Sequence, residues 1–352
     1  MQPFVYNSLP ARVIFGPGTL SQVGREIQNL GCSKALVLTG PSQSKKGEAL
    51  KEDLGDVCVG LYSNATMHTP TNITDEAVEL AKNLGADCVV AIGGGSAVGL
   101  AKAIALRTDL PQIAIPTSYS GSEATAISGQ TENGIKTTQK TLKVLPEVII
   151  YDVDLTLTLP AQMTITSGIN AMAHAVEALY STESNPVTDT LAEQGLARLA
   201  GALPILSKDP QNSEARSDAL FGAWACGSCL GAVSMALHHK LCHTLGGTFN
   251  LPHSETHTVV LPHTIAYNTP FATAAMTKAA RVLGSASAAQ GVFDLAKNLG
   301  APYSLKQLGM KEEDLERAAD VAMKSPYPNP APLEREKILS LLRDAYEGKR
   351  PL

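Results

Sequence analysis

The chain has 352 residues, 44% of them hydrophobic and 17% charged, and a net charge of −5. That length exceeds one typical core, so two domains are expected. The slight acidity, with no basic run, argues against a nucleic-acid or anionic-membrane partner, and every apolar run is broken by Gly, Pro or charge short of a membrane span.

The opening stretch, MQPFVYNSLPARVIF, has no basic segment followed by an apolar one, so no signal peptide is expected. Six cysteines in this length do not make a disulfide framework. Cys226 and Cys229 form a C-x-x-C inside AWACGSCLGAV, which reads as small residues on a packed helix, and no second pair completes a zinc site. A cytoplasmic protein with reduced thiols is the expectation.

Residues 1–160 alternate short β-rich runs with helical ones. Arg12–Phe15 reads as a strand, and Thr19 as the cap of a helix to Leu30. The run 34–39 (KALVLT) is a buried strand ending at Gly40, followed by a helix near 45–54 and a strand over 57–62. Thr74 is expected to cap a helix over 75–84 with acids in its first turn. The run 86–92 (ADCVVAI) is another buried strand, Gly93-Gly94-Gly95-Ser96 opens a helix to about Leu106, and 113–116 is a further strand. This rhythm predicts a largely parallel sheet with helices on both faces. After Pro160 helical periodicity takes over, at 168–180, 187–199, 213–230 and finally 334–346. The expected architecture is an α/β N-terminal dinucleotide-binding domain, 1–160, and an all-α C-terminal domain, 161–352.

Two loops follow strand ends, where open α/β sheets bind ligands. Gly93-Gly94-Gly95-Ser96 lets backbone N–H groups approach a pyrophosphate at a helix N-terminus. Its spacing is not G-x-G-x-x-G, so alone it is as compatible with a tight turn. Pro116-Thr117-Ser118-Tyr119-Ser120-Gly121-Ser122-Glu123 is the second loop. Candidate cofactor contacts are Gly40, Ser42, Gly93, Gly94, Gly95, Ser96, Thr117, Ser118 and Ser122. No carboxylate follows KALVLT to bind a ribose 2′-OH or repel a 2′-phosphate, and Ser42, Ser44 and Lys45 are candidates to contact one. Both NADH and NADPH are therefore expected as cofactors.

The window from Ser234 to His263 holds six of the eight histidines: His238, His239, His243, His253, His257 and His263. His239 and His243 are four apart, one turn along a helix face. Gly246 and Gly247 permit a break, and Leu251-Pro252-His253 returns a third imidazole. Taken singly, His238, His257 and His263 read as packed or solvated side chains. Upstream, Asn170 and His174 share a helix face, with Glu177 further along it.

In combination these stretches resemble the iron-containing (group III) alcohol dehydrogenase superfamily over nearly the whole chain. Its GGGS loop, Pro-Thr-x-x-x-Gly-Ser-Glu loop, Asp-x-x-x-His pair and His-x-x-x-His…Pro-His segment read here as Gly93–Ser96, Pro116–Glu123, Asn170…His174 and His239…His243…His253. The resemblance implies a nucleotide domain, a helical domain and a cleft in which hydride passes to or from a nicotinamide. It implies a homodimer as well. The superfamily's metal ligands would fall at Asn170, His174, His239 and His253, but residue 170 is Asn, a weak neutral ligand in place of a carboxylate. Gly99 replaces the aspartate of many relatives.

With these departures, the run 252–263 and Tyr327-Pro328-Asn329-Pro330, the chain looks like the branch that reduces maleylacetate to 3-oxoadipate at the end of aromatic-ring degradation. Residue 331 is Ala where that branch would have Arg. No metal is expected. Asn170, His174, His239 and His253 would donate hydrogen bonds to a developing enolate, and His243 would deliver the proton to carbon. The small dicarboxylate substrate needs cationic or hydrogen-bonding partners; Lys140 and Lys143 are candidates, while Lys240 lies off the face of His239 and His243. The alternatives are a metal-dependent polyol or alcohol dehydrogenase of the same superfamily, and a lyase resembling 3-dehydroquinate synthase. Both need an acidic metal ligand.

Overall fold

Continuous apolar residues on short runs dictate strands covered on both faces, and the computed structural model shows them. It describes residues 4–9, 11–132, 135–324 and 327–352; Ser325 and Pro326 of the tail lie outside the described residues. Contacts divide the chain into two compact units: Ser8–Leu159, and Pro160–Leu352 with the N-terminal residues to Asn7.

The first unit runs β1 (Arg12–Phe15), α1 (Val23–Asn29), β2 (Ala35–Leu38), α2 (Ser44–Leu54), β3 (Cys58–Tyr62), α3 (Thr71–Leu84), β4 (Cys88–Gly93), α4 (Gly95–Thr108), β5 (Gln112–Pro116), β6 (Ile127–Glu132), β7 (Ile135–Lys140) and β8 (Val148–Tyr151). Six strands form one parallel sheet in the order β1-β8-β5-β4-β2-β3. Val37, Val90, Ile92, Ile113 and Ile115 pack on one face with Val23, Ile27 and Leu50 of α1 and α2. Leu36, Leu38, Val89 and Ala91 pack on the other with Ala77, Val78, Leu100 and Ile104 of α3 and α4. That is the period-two alternation of a doubly covered sheet. The crossovers leaving β2 and β4 diverge, so their carboxyl ends form the switch point where such sheets bind ligands.

Three local expectations need correcting. Thr19 does not cap: its hydroxyl donates to the Gly16 carbonyl, and the Asp152 carboxylate accepts from the N–H groups of Gly18 and Leu20 instead. A partner 132 residues away is invisible to a local reading. Helix α3 begins at Thr71, after Pro70. Thr74 therefore lies inside it and donates to the Pro70 carbonyl, with no acid in the first turn. The antiparallel β6–β7 pair and the buried β8 were not anticipated.

The second unit comprises α5 (Ala161–Tyr180), α6 (Pro186–Lys208), α7 (Ser213–Ala232), α8 (Leu237–Phe249), α9 (His253–Asn268), α10 (Thr273–Val282), α11 (Ala288–Asn298), α12 (Leu315–Met323) and α13 (Arg335–Glu347), with no strand among the described residues. Helix α5 is buried from Thr164 to Tyr180, which makes it the centre of the unit. Small residues allow close approach: a Cβ on Gly168 would lie 2.7 Å from Leu203, and one on Gly195 2.6 Å from Cys226. Helix α8 runs through Gly246 and Gly247, against expectation. The turn comes at Asn250, which adopts φ 55° and ends the helix as a left-handed cap. Among the described residues no single helix is long and apolar enough to cross a membrane.

Candidate functional site

In the α/β unit, α4 starts without a side-chain cap immediately after β4, leaving its first N–H groups to an outside acceptor. A Cβ on Gly94 would lie 3.2 Å from Ser118 Oγ, and one on Gly95 3.1 Å from Ser120 Oγ. The glycines thus permit the loop after β5 to approach the loop after β4. Thr117 N–H donates to the Gly93 carbonyl at 2.9 Å, and Thr117 Oγ1 donates to Gln43 Oε1 at 3.0 Å. Gly93, Gly94, Gly95, Ser96, Thr117 and Ser118 are therefore gathered in one place. Gln43 joins them from the turn after β2, in which Gly40 and Ser42 also lie. Gln43 was not anticipated, because only the tertiary fold brings it to Thr117.

Ser122 is held from below. Lys102 of α4 is fully buried, and its ammonium reaches the carbonyls of Ser122, Thr125 and Ile127 and the Thr125 hydroxyl at 2.6–2.9 Å. Burial pushes Lys102 down to about 7, against the opposing charge of Glu123. Glu123 is itself buried, pushed up by desolvation, and accepts from the Tyr151 hydroxyl at 3.0 Å. Lys143 pairs with Asp109 at 2.7 Å, which occupies one of the two proposed substrate cations.

In the helical unit, α5 and α8 bring His174 and His239 together: His174 Nδ1 and His239 Nε2 are 2.8 Å apart. His239 Nδ1 lies 2.6 Å from Glu177 Oε2. Asn170, His174 and Glu177 share one face of α5, as their spacing requires. Glu177 also accepts from Tyr180 Oη and from the N–H groups of Ala236 and His238, at 2.8–3.0 Å. Burial alone would raise its pKa; the hydrogen bond and charge of His239 and the backbone donors hold it at about 2 instead. The residue was visible in the sequence three positions after His174. Nothing local showed that it would meet the start of α8.

A second chain of imidazoles lies beside the first. Thr264 Oγ1 donates to the Leu261 carbonyl, so it accepts from His238 Nδ1 at 3.2 Å. His238 Nε2 then accepts from His257 Nδ1 at 2.9 Å. Both rings are fully buried; desolvation pushes His238 down to about 3 and His257 well below its ordinary value. His257 Nε2 is left buried without a protein partner, and so is Asn170 Oδ1. His253 opens α9 with its ring 4.4 Å from that of His257. His243 is exposed on α8, its ring 6.1 Å from that of His239. The structure thus brings His174, His239 and Glu177 into contact, sets His253 nearby and leaves His243 at the edge. The Tyr327–Pro330 segment has a packing role: Asn329 Oδ1 accepts from Leu237 N–H and Asn268 Nδ2, and Ala331, itself buried, donates to Asn268 Oδ1.

Residues 10–153 match the family model described as iron-containing alcohol dehydrogenase, and 164–346 match the C-terminal model of the same family. The chain is 54% identical to the maleylacetate reductase of Burkholderia cepacia and 53% identical to that of Sphingobium indicum, covering at least 99% of every chain in both comparisons. The crystal structure of maleylacetate reductase from Agrobacterium tumefaciens superposes with a TM-score of 0.96 at 53% identity, covering 100% of both chains. A 1,3-propanediol oxidoreductase superposes with a TM-score of 0.93 at 26% identity, over 98% of this chain and 100% of the other.

Proposed function

We propose, from the premise that this chain belongs to the iron-containing alcohol dehydrogenase family, that it reduces the C=C bond of maleylacetate to 3-oxoadipate with NADH or NADPH, without a divalent metal. The observation that carries the substrate is the end-to-end likeness to maleylacetate reductases.

The residues at the family's ligand positions do not fit a divalent ion. Asn170 is a neutral amide. His174 Nδ1 and His239 Nε2 stand 2.8 Å apart in a hydrogen bond, whereas two nitrogens 2.0–2.1 Å from one tetrahedral ion are held about 3.3–3.4 Å apart. No step is therefore drawn through a metal.

Reducing an activated alkene does not require one. The nicotinamide supplies hydride to the alkene carbon β to the ketone, so charge develops on an enolate oxygen and a proton is needed at the α carbon. Hydrogen-bond donors aimed at that oxygen stabilise it. Both nitrogens of His239 are engaged, by Glu177 and His174, so it acts through His174 and is not itself a donor to substrate. Asn170 and His253 are left as the donors, joined by His174 when the His174–His239 pair carries one proton beyond neutrality. The Asn170 amide, turned end for end, places its NH2 where its oxygen has no partner. His243, exposed one turn beyond His239, delivers the proton.

The bare N-terminus of α4 and the Gly94–Ser118 approach suit a pyrophosphate. No acidic residue lies between Leu38 and Gln43 to select against a 2′-phosphate, so both cofactors are used. The reading places the enzyme in the cytoplasm as a homodimer, consistent with six unpaired buried cysteines.

The test is turnover of maleylacetate, glycerol, 1,2-propanediol, lactaldehyde and simple aldehydes, with NADH and with NADPH in parallel. Maleylacetate should be reduced with either cofactor. Turnover of a polyol but not of maleylacetate would overturn the substrate, and discrimination beyond about a thousandfold against NADPH, some 4 kcal/mol, would overturn the cofactor reading.

A further inference from the structure

We propose that Lys102 is a positioning residue for the cofactor: its buried side chain fixes the loop after β5 along the face of α4 whose first turn receives the pyrophosphate. The proposal rests on the cofactor reading above. It lies wholly within the α/β unit and does not depend on the substrate.

Gly95 and Lys102 stand about two turns apart on one face of α4. The chain from Ser118 to Ile127 meets that helix at two points. At the first turn, Gly94 and Gly95 admit the hydroxyls of Ser118 and Ser120, which would lie 3.2 and 3.1 Å from a Cβ on those glycines. Further along, the Lys102 ammonium is caged by the carbonyls of Ser122, Thr125 and Ile127 and by the Thr125 hydroxyl, at 2.6–2.9 Å. The Thr125 hydroxyl donates to the Ser122 carbonyl at 2.9 Å, so it offers Lys102 a lone pair. A neutral amine has two N–H groups and would turn its own lone pair on one of these oxygens, so the cage holds an ammonium. Ser122 N–H in turn reaches Ser120 Oγ at 3.4 Å, which links the cage back to the first turn.

The turn at Ser122–Ala124 follows Gly121, which adopts φ 74°, a sharp reversal whose place must be set from outside. Two buried groups set it. Glu123 accepts from Tyr151 Oη and ties the turn to β8, while Lys102 ties it to the helix that presents Gly94 and Gly95. Without the ammonium, buried carbonyls lose a donor and the turn is expected to shift off α4. Ser118 and Ser122 would then move relative to the N–H groups at the start of that helix.

The test is binding of NADH, and of ADP-ribose, which keeps the pyrophosphate and lacks the nicotinamide, by calorimetry. Lys102→Met keeps the length of the stem and removes every donor. Both dissociation constants are expected to rise about 10–100-fold, the range for groups that orient a binding group, while kcat at saturating NADH stays within about threefold. General loss of packing would not give that split. If Lys102→Met does not fold, Thr125→Val decides: it removes one oxygen of the cage, and both constants should rise about three- to tenfold. Constants within about twofold of wild type in the deciding variant, or weaker NADH binding with ADP-ribose unchanged, would overturn the proposal. A wild-type protein that binds neither ligand would strike the cofactor reading itself, and the proposal with it. Failure to turn over maleylacetate would strike the substrate reading alone.

Discussion

Replacing His243 by alanine is expected to lower kcat by about 10²–10⁴-fold, the range for loss of a general acid, and to change KM for maleylacetate by only a few fold. The asymmetry follows from where the ring sits. His243 is exposed on α8 and lies outside the buried network that Glu177, His239 and His174 form. Truncating an exposed ring leaves no buried cavity, so the fold and the contacts among Glu177, His239 and His174 remain. What is lost is the proton at the α carbon. Steady-state kinetics at saturating NADH check this, with thermal unfolding as the control; a kcat within about threefold of wild type would move the acid elsewhere, His253 being the next imidazole.

The second large effect is on acid stability. Burial holds His238 at about 3 and His263 at about 4, against an ordinary value near 6.5. Their folded-state values are depressed, so below pH 6.5 the unfolded chain binds protons that the folded chain refuses, and stability falls with pH. Each such imidazole contributes up to about 1.4 kcal/mol per pH unit once its unfolded form is fully protonated, so these two together cost about 3 kcal/mol between pH 6.5 and 5. His257 shifts in the same direction and adds to the loss. Glu177, held near 2, has no part in that window; its contribution disappears only as pH falls below 4.5 toward 2. Urea unfolding at pH 6.5 and pH 5 measures the difference, and His263→Gln should flatten it. A midpoint unchanged between the two pH values would mean that these rings are charged in the folded state.

The fold was legible wherever local pattern and tertiary packing agree. Runs such as CVVAI, Cys88 to Ile92, are buried on both faces and read as strands because every side chain in them is apolar. Gly93–Ser96 was legible because strand, glycines and helix follow one another without a gap. The antiparallel pair of β6 and β7 was missed because residues such as Thr137, Thr138 and Gln139 are polar and carry no alternation to a core. The cap at Thr19 was misread because Asp152 does the work credited to its hydroxyl, and that at Thr74 because the helix already starts at Thr71, behind Pro70 and without a side-chain cap.

In the site, the spacing of Asn170 and His174 and the crowding of histidines after Ser234 pointed to two helices, α5 and α8, whose His174 and His239 the fold brings within hydrogen-bond distance. The sequence could not show that His239 would spend both nitrogens inside the protein, or that a carboxylate on α5 would be its anchor. That arrangement depends on α5 and the start of α8 meeting 62 residues apart in sequence. Lys102 was equally hidden: a lysine between alanines on α4 reads as solvated until the loop from Ser122 to Ile127 closes over it.

The central claim is that this family member works without the ion that gives the family its name. The direct measurement is maleylacetate reduction by the purified enzyme after exhaustive EDTA treatment, compared with the same enzyme given excess Fe²⁺ or Zn²⁺. Unchanged activity across all three preparations is predicted, because hydrogen-bond donors stabilise the enolate. Loss of activity on chelation, restored by either metal, would show that Asn170 serves as a ligand and that the reaction depends on a Lewis acid after all.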